Sequence, residues 1–194
     1  MECNKNKYNL VEKLVDCGSK QIKKFINNEN SKEDSRDHFR EKSWQHCYEI
    51  FQKYFKNKVI NEQEEDFLEL NLGFYLASFG MYRSSGFLID YDYKIHKNVI
   101  TKLYEKKEKV ISGDFINYDT YNNLKKIISE SYEIYAKQSG NIVTETLATK
   151  ILLGVFSCIP AFDENLKRVL KEVKNAENQL VTSPYEVDEW INSL

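Results

Sequence analysis

A short polar run in the middle of the chain carries the residue types best suited to chemistry. It consists of hydrogen-bond donors that follow Gly80, namely Tyr82, Arg83, Ser84 and Ser85. A guanidinium group beside hydroxyl groups offers several donors to a carboxylate, a phosphate or another polar ligand. The run therefore predicts a ligand-binding site. The alternative interpretation is that Arg83 caps the carbonyl end of the preceding helix and pairs with an acidic side chain.

Asp92 and His96 follow this run and indicate acid–base chemistry. They stand four residues apart, a spacing that places two side chains on one face of a helix. A carboxylate that orients an imidazole is the arrangement of a general base. Both residues are therefore assigned to the ligand-binding site, although this spacing is also common by chance.

A second Arg–His pair lies in the sequence R-E-K-S-W-Q-H, which begins at Arg40 and includes His46. It is similar to the motif of HEPN-type ribonucleases, helical bundles in which a basic pair contacts the scissile phosphate and activates the 2′-hydroxyl. The resemblance implies that Arg40 and His46 act on a scissile phosphate. The alternative function is therefore an enzyme that acts on phosphodiester or nucleotide bonds, with His96 or His46 as general base and Arg83 or Arg40 stabilising developing charge. Glu41 departs from the usual motif. The competing interpretation leaves Arg40 solvated and places His46 beside an aromatic helix face.

Lys150 and Asp163 are the remaining candidates for the site. Lys150 lies among apolar residues of a predicted helix, so its ammonium group must reach solvent or find a partner. We expect it to reach solvent. Asp163 follows Pro160 closely and is predicted to cap a helix.

Two blocks of sequence resemble a family of uncharacterised bacterial helical proteins. The first block is Y-L-A-S-F-G-M-Y-R-S-S-G-F-L at 75–88 with D-Y-K-I-H at 92–96, and the second is T-K-I-L-L-G at 149–154 with C-I-P-A-F-D at 158–163. The family pattern has Trp at the position of Phe79 and Gly at the position of Ser84. The resemblance implies no activity, but it implies that the two blocks belong together. It therefore favours a pocket shared by Arg83, Lys150 and Asp163.

The composition indicates an all-α protein of one main domain. The chain has 194 residues, of which only 7 are Gly and 2 are Pro, fewer than strand-and-turn proteins need. Apolar residues make up 41% of the chain, which contains 28 basic and 30 acidic side chains. The net charge of -2 disfavours a dedicated nucleic-acid-binding protein without excluding a local basic patch.

Apolar periodicity predicts a single-domain bundle of seven to eight helices. The predicted helices cover approximately 8–27, 35–55, 62–80, 89–111, 119–140, 145–158, 163–175 and 183–191. The helices at 62–80 and 145–158 are apolar on nearly every side, so we expect both to be central and buried. The bundle domain is assigned to 1–178, and a short C-terminal helix at 183–194 is expected to pack on it.

The leading functional hypothesis is a small helical protein that binds an anionic or nucleotide-like ligand, or a protein partner, in a polar pocket. The enzyme described above is the alternative, and a purely structural interaction protein, with a homodimer left open, is the third. No sequence motif indicates a cofactor, and three histidines far apart indicate no metal site. The absence of paired cysteines and of a long apolar segment predicts a cytoplasmic protein outside the membrane.

Overall fold

Helices account for all the regular structure in the residues that the computed structural model describes, which are 36–57, 59–83, 86–110, 118–164 and 166–167. The five α-helices are α1 (Arg36–Phe55), α2 (Glu62–Ser78), α3 (Lys97–Lys106), α4 (Tyr118–Gln138) and α5 (Glu145–Phe156). Three 3₁₀-helices cover Phe87–Asp90, Tyr93–His96 and Lys107–Lys109. The described residues contain no strand, which confirms the all-α class.

The number of helices differs from the expected seven to eight, since the described residues hold five α-helices. The predicted helices at 8–27 and 183–191, and most of the one at 163–175, lie outside the described residues. The proposed domain boundary after 178 lies outside them as well.

Both ends of α2 are specified by its sequence. Asn61 accepts a hydrogen bond from the backbone of Glu64, and the Glu64 side chain accepts one from the backbone of Asn61. This capping box was predicted. At the other end, Gly80 donates to the carbonyl of Ala77 and Met81 donates to that of Leu76. Gly80 has a φ of +69°, so the helix ends in a Schellman motif that favours glycine.

The predicted long helix at 89–111 is wrong in its first part. The chain forms two 3₁₀-helices there, and the α-helix begins only at Lys97. Asp92 causes the interruption, because its extended backbone starts the second 3₁₀-helix and its carboxylate accepts a hydrogen bond from the backbone of Lys94. A side chain that bonds its own local backbone in this way competes with α-helix formation.

Helices α1, α2 and α5 pack together around the core. Tyr75 of α2 lies against Gly154 of α5, where an added Cβ would be only 2.6 Å from the ring. The Tyr75 hydroxyl donates to the carbonyl of Lys150 at 3.0 Å. The Trp44 indole of α1 donates to the carbonyl of Leu153 at 3.2 Å. These contacts fix α5 against both of its neighbours.

The two helices expected to be central differ in their burial. The hydroxyl group of Thr144 caps the start of helix α5 as predicted. Nine residues of this helix are buried. Helix α2 buries one face but exposes large apolar side chains on the other, Phe67, Leu70 and Phe74. The expectation that α2 is buried on all sides is therefore wrong for the described residues. None of the described helices is long and apolar enough to cross a membrane.

Candidate functional site

Three cationic side chains from three parts of the fold line one cleft. Arg40 comes from the first turns of α1, Arg83 follows the end of α2, and Lys150 lies in the middle of α5. The cleft has a volume of about 360 Å³, which is within the range of small-molecule sites.

The remaining lining of the cleft combines apolar, hydroxyl and acidic groups. Phe79 and Met81 form an apolar wall, Thr146 contributes a hydroxyl group, and Asp163 and Glu164 contribute carboxylates. Among the described residues that line the cleft, three side chains are cationic and two are acidic.

Lys150 is almost completely buried, with 5% of its surface exposed. Its Nζ donates a hydrogen bond to the carbonyl of Phe79 at 3.2 Å and lies 3.9 Å from Oδ2 of Asp163. Phe79 is the C-cap of α2, so the ammonium group lies at the negative end of the helix dipole. The expectation that Lys150 reaches solvent is therefore wrong, because its partners lie within the protein.

Arg83 is exposed, and its guanidinium group lies directly against Gly80. A Cβ at position 80 would overlap that group. Gly80 thus provides both the positive φ that ends α2 and the space that the arginine occupies at the cleft. The carbonyl at the C-cap of α2 is bonded by Lys150, which takes the capping role that was considered for Arg83.

The charges in the cleft act on one another. Burial lowers the pKa of Lys150, the carboxylate of Asp163 raises it, and the guanidinium groups of Arg40 and Arg83 lower it. Removal of the ammonium group from water is the largest of these effects, and the two like charges add to it. A bound anion would interact favourably with all three cations.

Tyr82 and His96 belong to a different part of the protein. His96 is fully buried. Its Nε2 atom forms a hydrogen bond with the hydroxyl group of Tyr82 at 2.8 Å. Its Nδ1 atom forms one with the hydroxyl group of Tyr132 at 2.6 Å. Burial lowers the pKa of His96 from 6.5 to about 3. A neutral imidazole has one donor and one acceptor, so the two tyrosines satisfy it completely.

The expected pairing of Asp92 with His96 is wrong. Asp92 is exposed and bonds the backbone of Lys94, because the segment is not α-helical at that point. The hydrogen bonds of the His96 ring go to the two tyrosines instead. Ser84 and Ser85 lie outside the described residues, and their assignment to the site stays a prediction.

The two histidines named in the enzyme hypothesis, His46 and His96, do not support it. His96 is sealed in the interior, His46 is exposed on α1, and neither lines the cleft. A general base must reach the reacting group by a hydrogen bond or through one water molecule. Neither His46 nor His96 is therefore placed to act beside Arg40 and Arg83.

Sequence reasoning found part of this site and missed the rest. The structure brings together Arg83, Lys150 and Asp163, which were assigned to one pocket. Arg40 was noticed only as half of an Arg–His motif and was expected to be solvated, yet it lines the same cleft. Thr146 and Glu164 carried no signal, since a hydroxyl and a carboxylate at helix starts are ordinary capping residues.

Among the described residues, no group of His, Cys, Asp and Glu side chains could hold a metal ion. Comparison of the chain with models of protein families, with curated proteins and with solved structures finds no match. The resemblance to a family of uncharacterised bacterial proteins therefore stays a prediction.

Proposed function

We propose that the protein binds a small anionic molecule in the cleft lined by Arg40, Arg83 and Lys150. The convergence of these three cations on one cavity is the observation that carries the proposal. Three positive side chains brought together repel one another, and burial makes the charge of Lys150 costly. Such an arrangement is most stable when a negatively charged group occupies the cavity.

The geometry favours a ligand that carries a carboxylate or phosphate group on a partly apolar body. Arg83 would bind the anionic group of this ligand, because a guanidinium group binds a carboxylate or a phosphate through two hydrogen-bond donors. Phe79 and Met81 offer an apolar wall to the remainder of the molecule. A cavity of about 360 Å³ has the size of a small-molecule site and therefore favours a metabolite over a segment of a partner protein.

We propose that this binding protein is located in the cytoplasm. Cys47 and Cys158 support that location, since both are free and buried. Free thiols persist in the reducing environment of a cytosol.

Substitution of Arg83 tests the proposed function. We expect Arg83→Ala to weaken the binding of inorganic phosphate by about 2–3 kcal/mol, through loss of a charge-assisted hydrogen bond. Isothermal titration calorimetry of both proteins at constant ionic strength measures the difference. The substitution should leave the fold intact, because the Arg83 side chain is exposed.

Lys42→Ala provides the matched control, since Lys42 is an exposed cation on α1 and does not line the cleft. It should leave the affinity for phosphate unchanged. Equal affinity of the Arg83→Ala and wild-type proteins would remove Arg83 from the site. An equal loss in both variants would show that binding depends on net charge alone.

A further inference from the structure

Lys150 combines deep burial with access to the cleft. It is only 5% exposed, yet it belongs to the residues that line the cavity. Its Nζ donates to the carbonyl of Phe79 and faces Oδ2 of Asp163. An ammonium group has three donors, so these two partners, which the described part of the chain provides, leave one donor for a ligand in the cleft.

The surroundings of Lys150 favour the uncharged amine, which is the nucleophilic form of lysine. Burial lowers the pKa of Lys150, and the guanidinium groups of Arg40 and Arg83 lower it as well, whereas Asp163 raises it. The Phe79 ring adds an apolar neighbour, with its centroid 5.2 Å from Nζ. Removal from water and nearby cations are the two conditions that make a lysine reactive towards carbonyl groups.

We propose that the amino group of Lys150 forms a reversible imine with a small aldehyde that also carries a carboxylate or phosphate group. Imine formation depends on the proposed function of the cleft, because the anionic group of the aldehyde would bind Arg83 while its carbonyl carbon meets Lys150. Both side chains line the same cavity. An uncharged aldehyde would lack the contact with Arg83, so the cleft selects an anionic one.

The reaction needs no further reagent. The lone pair of the uncharged Nζ forms a bond to the carbonyl carbon, and the π electrons of the carbonyl group move to its oxygen, which takes up a proton. The hydroxyl group of this intermediate then takes up a second proton and leaves as water, while the nitrogen lone pair forms the C=N bond. An ammonium group and an aldehyde thus give a protonated imine and one water molecule.

The partners of Lys150 suit both the reaction and its product. Oδ2 of Asp163 lies 3.9 Å from Nζ, so its carboxylate can take the proton that the nitrogen loses and return it to the oxygen, directly or through one water molecule. The protonated imine keeps its positive charge and one N–H donor. That donor can still bond the carbonyl of Phe79, so the end of α2 keeps its partner.

Reductive trapping in the full-length chain tests the proposal. The protein is incubated with succinic semialdehyde and sodium cyanoborohydride, which reduces an imine to a stable secondary amine. Peptide mapping by mass spectrometry locates and quantifies the modified lysines. Butanal has the same carbon chain without the carboxylate and is the matched control reagent. Lys42, an exposed lysine of α1 outside the cleft, is the control site in the same molecule.

We expect succinic semialdehyde to modify Lys150 at least about ten-fold faster than butanal does, through its charge-assisted hydrogen bond to Arg83. Excess inorganic phosphate should suppress this modification, because it competes for the cleft. Lys42 should react with both aldehydes at similar rates, with or without phosphate. Arg83→Ala should abolish the preference at Lys150 while it leaves the amine in place.

Calorimetry with inorganic phosphate separates the imine from the proposed function. Lys150→Arg removes the primary amine but keeps a cation in the cleft, so this variant should bind phosphate and show no adduct at position 150. A wild-type chain that binds phosphate but is not modified at Lys150, or is modified there equally by both aldehydes, would overturn the imine and leave anion binding intact. Absence of both phosphate binding and modification would overturn both. The comparison of the two aldehydes uses the wild-type chain and is independent of the folding of any variant.

Discussion

Lys150 shows at the level of one residue why a lysine stands in an otherwise apolar helix. Its side chain crosses from α5 to the C-cap of α2 and donates to the carbonyl of Phe79. The same ammonium group faces Asp163 and the cleft. The residue thus satisfies a helix end and contributes charge to the proposed binding site, two roles that an apolar residue cannot fill.

His96 determines a pH dependence of stability. Its pKa falls from 6.5 to about 3 on folding because it is buried. Between these pH values the unfolded chain binds a proton that the native protein does not bind, so stability falls as the pH falls. We expect His96 to reduce the free energy of unfolding by about 1.4 kcal/mol for each unit by which the pH falls within the interval between these two pKa values.

Urea denaturation of the wild-type and His96→Asn proteins, at pH values from about 6.5 to 4.5, isolates this effect. Carboxylates contribute equally to both proteins, so the difference between the two curves belongs to position 96. The variant is less stable at neutral pH, since the hydroxyls of Tyr82 and Tyr132 lose a partner, but its stability should fall less steeply. Parallel curves would contradict the assignment of the slope to His96.

At the level of elements, the contact of α2 with α5 depends on the absence of a side chain at Gly154. An added Cβ would lie 2.6 Å from the ring of Tyr75. We expect Gly154→Ala to destabilise the protein by about 1–3 kcal/mol through overpacking. The cost should become much smaller in a Tyr75→Leu background, because the smaller side chain removes the clash.

A double-mutant cycle by thermal or chemical denaturation measures this coupling. Gly140→Ala serves as the comparison, since Gly140 has a positive φ but no atom near its missing Cβ. Its cost should be the same with Tyr75 and with Leu at position 75. Additive effects of Gly154→Ala and Tyr75→Leu would contradict the close packing of the two helices.

The elements were predictable from sequence where capping residues define them. Asn61 with Glu64, and Thr144, marked helix starts that the structure confirms, because these signals act within one helical turn. The 3₁₀-helices around Asp92 were not predictable from apolar spacing. There a side chain bonds the local backbone, and the apolar pattern does not record that competition.

At the level of the whole molecule, the site was predictable only in part. Arg83, Lys150 and Asp163 were expected to meet, and they do. Arg40 lies 110 residues before Lys150 in the chain, and only the packing of α1 on α5 brings them to one cleft. Tyr82 directly precedes Arg83 yet points to His96 instead, because neighbouring residues of an irregular segment face different directions.

The apolar pattern of α2 predicted a helix that is buried on all sides. The exposed side chains of Phe67, Leu70 and Phe74 contradict this prediction on one face.

Native mass spectrometry of the protein purified from its own host tests the central claim most directly. The convergent cations predict a small anionic molecule bound to the wild-type chain. Lys150→Met should lose this molecule, since it removes the buried charge of the cleft, whereas Lys42→Ala should retain it. A wild-type chain that carries no bound anion, with inorganic phosphate failing to bind in calorimetry as well, would contradict a function in anion binding.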